Sequence, residues 1–170
     1  MTVLKMGHVG MTVSDLDRSM DFYNKLFGFK EFFRVRRKTI WLSAQVGYPE
    51  ADVEFCHMRG ANGLHLELLK YWNPPGVGFL PDDTFIPGNA HVNFWVDDAD
   101  EMAAKIGNYI RMMDDPGFAR FAPNPLDIPA STITDGPQTG GKGFYMRDPD
   151  GHTIEIWQPA KSQQAQGFGQ

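Results

Sequence analysis

His8, Glu67, His91 and Glu155 are the residues of this chain whose types and spacing could do chemistry. Two imidazoles and two carboxylates make a full set of hard or borderline ligands for a divalent cation. Each stands in a short apolar run (MGHVGMTV, GLHLELL, AHVNFWV, HTIEIWQ), and the His-to-Glu intervals nearly match, 67 − 8 = 59 and 155 − 91 = 64. The runs alternate like strands. Val9/Met11/Val13, Leu64/Leu66/Leu68, Val92/Phe94/Val96 and Ile154/Ile156 then lie on the face opposite the ionisable residue. A lone glutamate on such a strand normally shows its charge to water, because burial is costly unless the charge is paired or coordinated. Four such sites in a repeated register favour a metal.

The register is a repeat. Valine follows each histidine by five residues (Val13, Val96) and aspartate by seven (Asp15, Asp98) and nine (Asp17, Asp100). A helical stretch ending in glycine comes next both times, and the halves close on Leu66-Glu67-Leu68 and Ile154-Glu155-Ile156. A period of 91 − 8 = 83 is too long for a solenoid and reads as a duplicated module.

The elements that must position these residues follow. Ser14 is the expected N-cap of a first helix, with Leu16, Met20, Tyr23 and Phe27 at helical spacing and Gly28 as its stop. Residues 29–69 carry strand-like runs FKEFFRV, TIWLSAQVG and DVEFCHM into GLHLELL, parted by turns at 47–49 and 60–63. The order is β-α-β-β-β, giving a first module at 1–71, a linker at 72–88 and a second module at 89–159. In the second module Asp97 or Asp98 caps a helix through Met102 and Ile106 that should stop at Gly107. Residues 112–129 read as an inserted loop, STITD and GFYMR as strands, DPDG as a hairpin turn, and 160–170 as a flexible tail.

A chain of 170 residues with 42% hydrophobic content has ample material for a core. The net charge of −5 and the lack of a basic stripe argue against nucleic acid. The cationic run Arg34-Val35-Arg36-Arg37-Lys38 reads as a solvated edge, with a clamp for an anionic substrate as the sharper alternative. One cysteine, Cys56, excludes an internal disulfide and fits a reducing compartment. With no signal peptide or membrane span in the text, the expected location is cytoplasmic and no membrane partner is expected.

Taken together, His8-x4-Val13-x-Asp15-Leu16, Arg18-Ser19-x2-Phe22-Tyr23, Gly28-Phe29, Leu66-Glu67-Leu68, His91-x4-Val96-Asp97 and Arg147-Asp148-Pro149-Asp150-Gly151-x3-Glu155 resemble the vicinal oxygen chelate superfamily. This is the glyoxalase, bleomycin-resistance and extradiol-dioxygenase group, and the resemblance spans Gly7 to Pro159. It implies an α+β fold of two βαβββ modules whose mixed sheet curls around one metal, paired within a chain or swapped in a homodimer. It implies one divalent ion (Ni, Co, Mn, Fe, Zn or Mg) held by His8, Glu67, His91 and Glu155. The four-residue set is similar to that of bacterial glyoxalase I. Methylmalonyl-CoA epimerase resembles it with an amide in place of Glu67.

The implied activity is that of a metal-dependent lyase or isomerase. It would act on a small substrate with adjacent oxygens through an enediolate-like intermediate, with Glu155 and Glu67 moving the proton. Thr12 stands where glyoxalase I has an arginine, and Tyr71-Trp72 replaces its Asn-Trp pair, so glutathione specificity is not expected. Asn93, His65, Trp157, Trp95 and Thr12 are the candidate substrate contacts, while His57 reads as packed and His152 as a surface residue. Two alternatives differ in class. One is an iron(II)-dependent ring-cleaving dioxygenase. The other is a non-catalytic drug-binding resistance module with Trp41, Phe55 and Trp95 as the clamp.

Overall fold

Residues 2–78, 83–113 and 130–164 are described by a computed structural model, which divides into two units, 1–79 and 80–170. Each unit carries one copy of the repeat and builds its own four-stranded mixed sheet.

The first unit runs β1 (Val9–Thr12), α1 (Leu16–Phe27), β2 (Lys30–Lys38), α2 (Ile40–Val46), β3 (Asp52–Arg59) and β4 (His65–Asn73). Its strand order is β1-β4-β3-β2, with β1 parallel to β4 and the other pairs antiparallel. Helix α1 buries Leu16, Phe22, Tyr23 and Leu26 and packs against β4. Tyr23 Oη donates to Met11 Sδ at 3.0 Å. The strands answer with Met11, Cys56, Met58, Leu66 and Leu68, all buried. Burial pushes the Cys56 thiol up to about 11, and the Glu31 charge adds to it, so this cysteine is core material and not a thiolate ligand. The cap of α1 is Asp15, one residue beyond the expected Ser14. Asp15 Oδ1 accepts the Arg18 N–H at 2.9 Å, while Ser14 Oγ accepts from the Arg18 guanidinium. Gly28 closes the helix in the left-handed region (φ 74°), as expected.

TIWLSAQVG is not a strand. Thr39 Oγ1 accepts the Leu42 N–H at 3.2 Å and Gly47 takes φ 77°, so the segment is a capped two-turn helix, α2. Its β-branched and aromatic residues favour a strand, but Leu42 and Val46, four apart, bury together on Ala51, Val53, Phe55, Leu69 and Tyr71. Tertiary burial and two caps outweigh propensity.

The second unit runs β5 (His91–Trp95), α3 (Ala99–Met113), β6 (Ser131–Thr132), β7 (Lys142–Arg147), β8 (Thr153–Gln158) and α4 (Lys161–Gln164). The order β5-β8-β7-β6 repeats that of the first sheet, again with the first pair parallel. Asp98 Oδ1 caps α3 by accepting from Asp100 and Glu101 N–H groups, both at 2.9 Å. The expected stop at Gly107 does not occur. That glycine is buried within α3, which continues to Met113. Of the expected insert 112–129, Met112 and Met113 belong to α3 and the rest lies outside the described residues, as do 165–170 of the expected tail. No helix among the described residues is long and apolar enough to cross a membrane.

The DPDG turn is organised by one buried carboxylate. Asp148 Oδ1 accepts from the Asp150 and His152 N–H groups, at 3.0 and 2.8 Å, and Oδ2 lies 2.9 Å from His152 Nδ1. His152 is therefore half-buried and paired, not the surface residue expected. Its burial lowers the pKa, but the hydrogen bond and charge of Asp148, with Asp150, outweigh that and raise it above 6.5. A raised folded pKa stabilises fully below the unfolded value and loses its effect as pH rises through the folded one. The stability advantage of the native chain over His152→Asn is thus expected to be largest below about pH 6.5 and to shrink above it. Thermal denaturation across pH 5–9 checks this.

Candidate functional site

The face of each sheet opposite the one packed by its long helix, α1 or α3, carries a His–Glu dyad, and in the first unit the short helix α2 packs on that same face beside the dyad. In the first unit Glu67 on β4 is level with Gly10, and His8 lies two residues before Gly10. His8 Nε2 is 3.2 Å from Glu67 Oε2. In the second unit Glu155 on β8 is level with Asn93, and His91 lies two residues before Asn93. His91 Nε2 is 3.1 Å from Glu155 Oε2. The same diagonal across the same parallel strand pair gives the same contact twice. Both histidine side chains are over two-fifths exposed, at 42% and 43%, so the contacts are not core pairs.

His57, read as packed, belongs to this site. It is level with Glu67 across β3 and β4, its Nε2 is 3.3 Å from Glu67 Oε1, and its Nδ1 is 3.0 Å from His65 Nε2. The two oxygens of Glu67 are thereby shared between His8 and His57. The signal was present in the text, since His57 shares its strand face with Phe55 and Val53, but only the register with Glu67 gives that face a meaning. Burial, with the neighbouring His57 and His8, holds His65 below its usual pKa, against a backbone hydrogen bond at Gly7. Tyr145 takes the place of His57 in the second unit, level with Glu155 and edge-on to His91 at 5.4 Å. Burial and the Glu155 charge raise its pKa.

The carboxylate of each dyad lines a cavity. In the first unit about 380 Å³ lies between the sheet and α2, where His8, His57 and Glu67 meet Phe33, Phe55 and Trp41. In the second, about 200 Å³ is lined by Asn93, Trp95, Gln138, Glu155 and Trp157. Of the expected substrate contacts, Asn93, Trp95 and Trp157 share the cavity of Glu155, and His65 touches the His8 and His57 rings. Thr12 is exposed and lines neither cavity.

The dyads suit a metal ion in one testable respect. Adjacent ligands on a six-coordinate ion with bonds of about 2.1 Å are about 3 Å apart. The two observed nitrogen-to-oxygen separations match that edge. Among the described residues, no group of three or more His, Cys, Asp or Glu side chains is placed to hold an ion by itself. Each dyad therefore offers two donors.

Residues 5–109 match the Glyoxalase/Bleomycin resistance protein/Dioxygenase superfamily. The chain belongs to this superfamily. It is 28% identical over 152 residues to a 2-epi-5-epi-valiolone epimerase from Actinomyces sp., covering 88% of this chain and 76% of that protein. Its fold is similar to that of a glyoxalase family protein from Bacillus cereus, with a TM-score of 0.70 and 20% identity over 94% of this chain and 96% of the other. It is also similar to the fosfomycin resistance protein FosX of Listeria monocytogenes, solved with Mn(II) and sulfate. There the TM-score is 0.52 and the identity 15%, over 96% and 99% of the two chains. Both structures bear out the α+β fold and its two mixed sheets.

Proposed function

We propose that the protein is a metal-dependent isomerase that moves a proton next to a carbonyl on a small substrate with adjacent oxygens. The observation that carries this is the His–Glu dyad built twice, in one register, on the sheet face away from the long helix of each unit. The superfamily supports it, as does a curated relative named as an epimerase and a neighbour solved with Mn(II). In this reading His8, Glu67, His91 and Glu155 hold one divalent ion, a dyad from each unit, supplied by one chain or by two copies of it. When bound, such an ion polarises neighbouring substrate oxygens and acidifies the adjoining C–H bond.

The chain's own groups do the rest. Glu155 takes the proton from carbon, being a half-buried carboxylate beside Asn93, Trp95 and Trp157 in one cavity. Glu67 has one oxygen fixed by His57, which holds its carboxylate plane, and it serves as the second proton carrier. The cavity beside Glu67 is large enough for a ring-sized substrate body and lined mainly by apolar side chains.

Solvent exchange tests the reaction class. Protein loaded with Mn(II), Co(II) or Zn(II) is expected to wash deuterium from D2O into cyclic α-hydroxyketone probes, at the carbon next to the carbonyl, as read by NMR. The hemithioacetal of methylglyoxal and glutathione is expected to be a poor substrate. An arginine-to-carboxylate contact of about 1.5–3 kcal/mol is not replaced by the Thr12 hydroxyl. Efficient turnover of that hemithioacetal, with kcat/KM above about 10⁶ M⁻¹s⁻¹, and no exchange into any hydroxyketone would overturn the proposal.

A further inference from the structure

The cationic run on β2 divides by strand period into two faces with different fates. Arg34 bonds Asp17 at 2.7 Å and Glu54 at 2.8 Å. Arg36 grips both oxygens of Asp52, at 2.7 and 2.8 Å, and lies 4.4 Å over the Trp72 ring. These two are neutralised. Phe33, Val35 and Arg37 take the other parity, and all three line the cavity that contains His8, His57 and Glu67. Among the described residues the Arg37 side chain has no carboxylate or hydrogen-bond partner, and the rest of the cavity lining carries one carboxylate, Glu67.

The rungs of the sheet give the scale. Phe33 is level with His57 and hence with Glu67, Val35 with Phe55 and Leu69, and Arg37 with Val53 and Tyr71. Four residues of strand separate Arg37 from the Glu67 rung, about 13 Å along the backbone, less the reach of the arginine side chain. Between them the walls are Val35, Phe55, Leu69 and, from α2, Trp41. The cavity is polar at both ends and apolar in the middle, with opposite charge at the two ends.

We infer that Arg37 is the specificity-determining residue of this cavity, binding an anionic group at the far end of a ring-bodied substrate whose other end lies at the Glu67 dyad. The substrate class is a small organic acid, carboxylate or phosphate, with a flat or cyclic apolar body and adjacent oxygens opposite the anion. A guanidinium selects such a group by paired hydrogen bonds, and an unpaired one at the mouth of an apolar cavity has that capacity unspent. The identity of the oxygen-bearing end rests on the proposed function; the anion contact does not.

The test uses 3,4-dihydroxybenzoate and 3,4-dihydroxybenzamide, which share ring and adjacent oxygens and differ in charge. Calorimetric titration into metal-free full-length protein is expected to show a three- to tenfold preference for the carboxylate, roughly what a part-exposed charged contact supplies. Arg37→Gln should erase that preference while leaving amide affinity unchanged, and Arg37→Lys should keep part of it. Equal binding of the two compounds by the native protein, failure of both to bind, or a preference that survives in Arg37→Gln would overturn the inference. A parallel arm adds Mn(II) under nitrogen. If the carboxylate preference holds but Mn(II) strengthens neither ligand, the metal reading fails and the Arg37 contact stands.

Discussion

Changing His91 to alanine is expected to lower affinity for a divalent cation by about 10²-fold, and changing His8 to do the same. A four-ligand site worth roughly 10–16 kcal/mol carries about 3 kcal/mol per ligand, which is about two powers of ten in Kd. The proposed centre takes one dyad from each unit, so titration should give one ion for each pair of dyads. Loss of either histidine should weaken that same ion. The alternative is two separate half-sites, each with two donors. They would bind two ions weakly, and His91→Ala would leave the ion at His8 and Glu67 untouched. Calorimetry with metal analysis of freshly purified protein distinguishes the two. The imidazoles are part-exposed and outside the buried core, so their removal should change ion affinity far more than thermal stability.

How much of this was legible in the text depends on the range of the cause. The strand faces of His8, Glu67, His91 and Glu155 were, because alternation fixes which face a residue takes and a duplicated module shows the same face twice. Gly28 was legible as a helix stop because a left-handed residue is a local demand. The failures lie where a distant partner decides. TIWLSAQVG has strand composition, yet Leu42 finds a buried place on Ala51 and Val53 only when the chain folds back as a helix. Gly107 resembles a stop, but its place inside α3 is set by packing and not by its own backbone preference. His57 could not be assigned from its own strand. Its meaning comes from Glu67 on β4, ten residues on and level with it across the sheet. Arg37 is the same case, since its neighbours Arg34 and Arg36 are neutralised by carboxylates on other elements and, among the described residues, it is not.

Glu155→Gln is expected to cut isomerisation by about 10²–10⁴-fold, the range of a lost general base. The amide keeps the shape and can still donate an oxygen to an ion, so ion affinity should fall much less than turnover. Glu67→Gln is the more informative change. An isomerase that inverts a carbon removes a proton on one face and returns one on the other. Two carboxylates that divide those tasks leave a distinct record when one is lost. Each single variant should stop net epimerisation, yet still wash deuterium into the one epimer whose proton faces the surviving carboxylate. Glu155→Gln and Glu67→Gln should then exchange opposite epimers. The 3.3 Å contact of His57 with Glu67 gives a further reading, because His57→Ala frees the Glu67 carboxylate without removing it. Exchange at the epimer served by Glu67 should slow about 10-fold or more, as for loss of a supporting contact, while exchange at the other epimer holds. If Glu67→Gln retains full epimerisation, Glu67 is a ligand alone and Glu155 moves the proton on both faces.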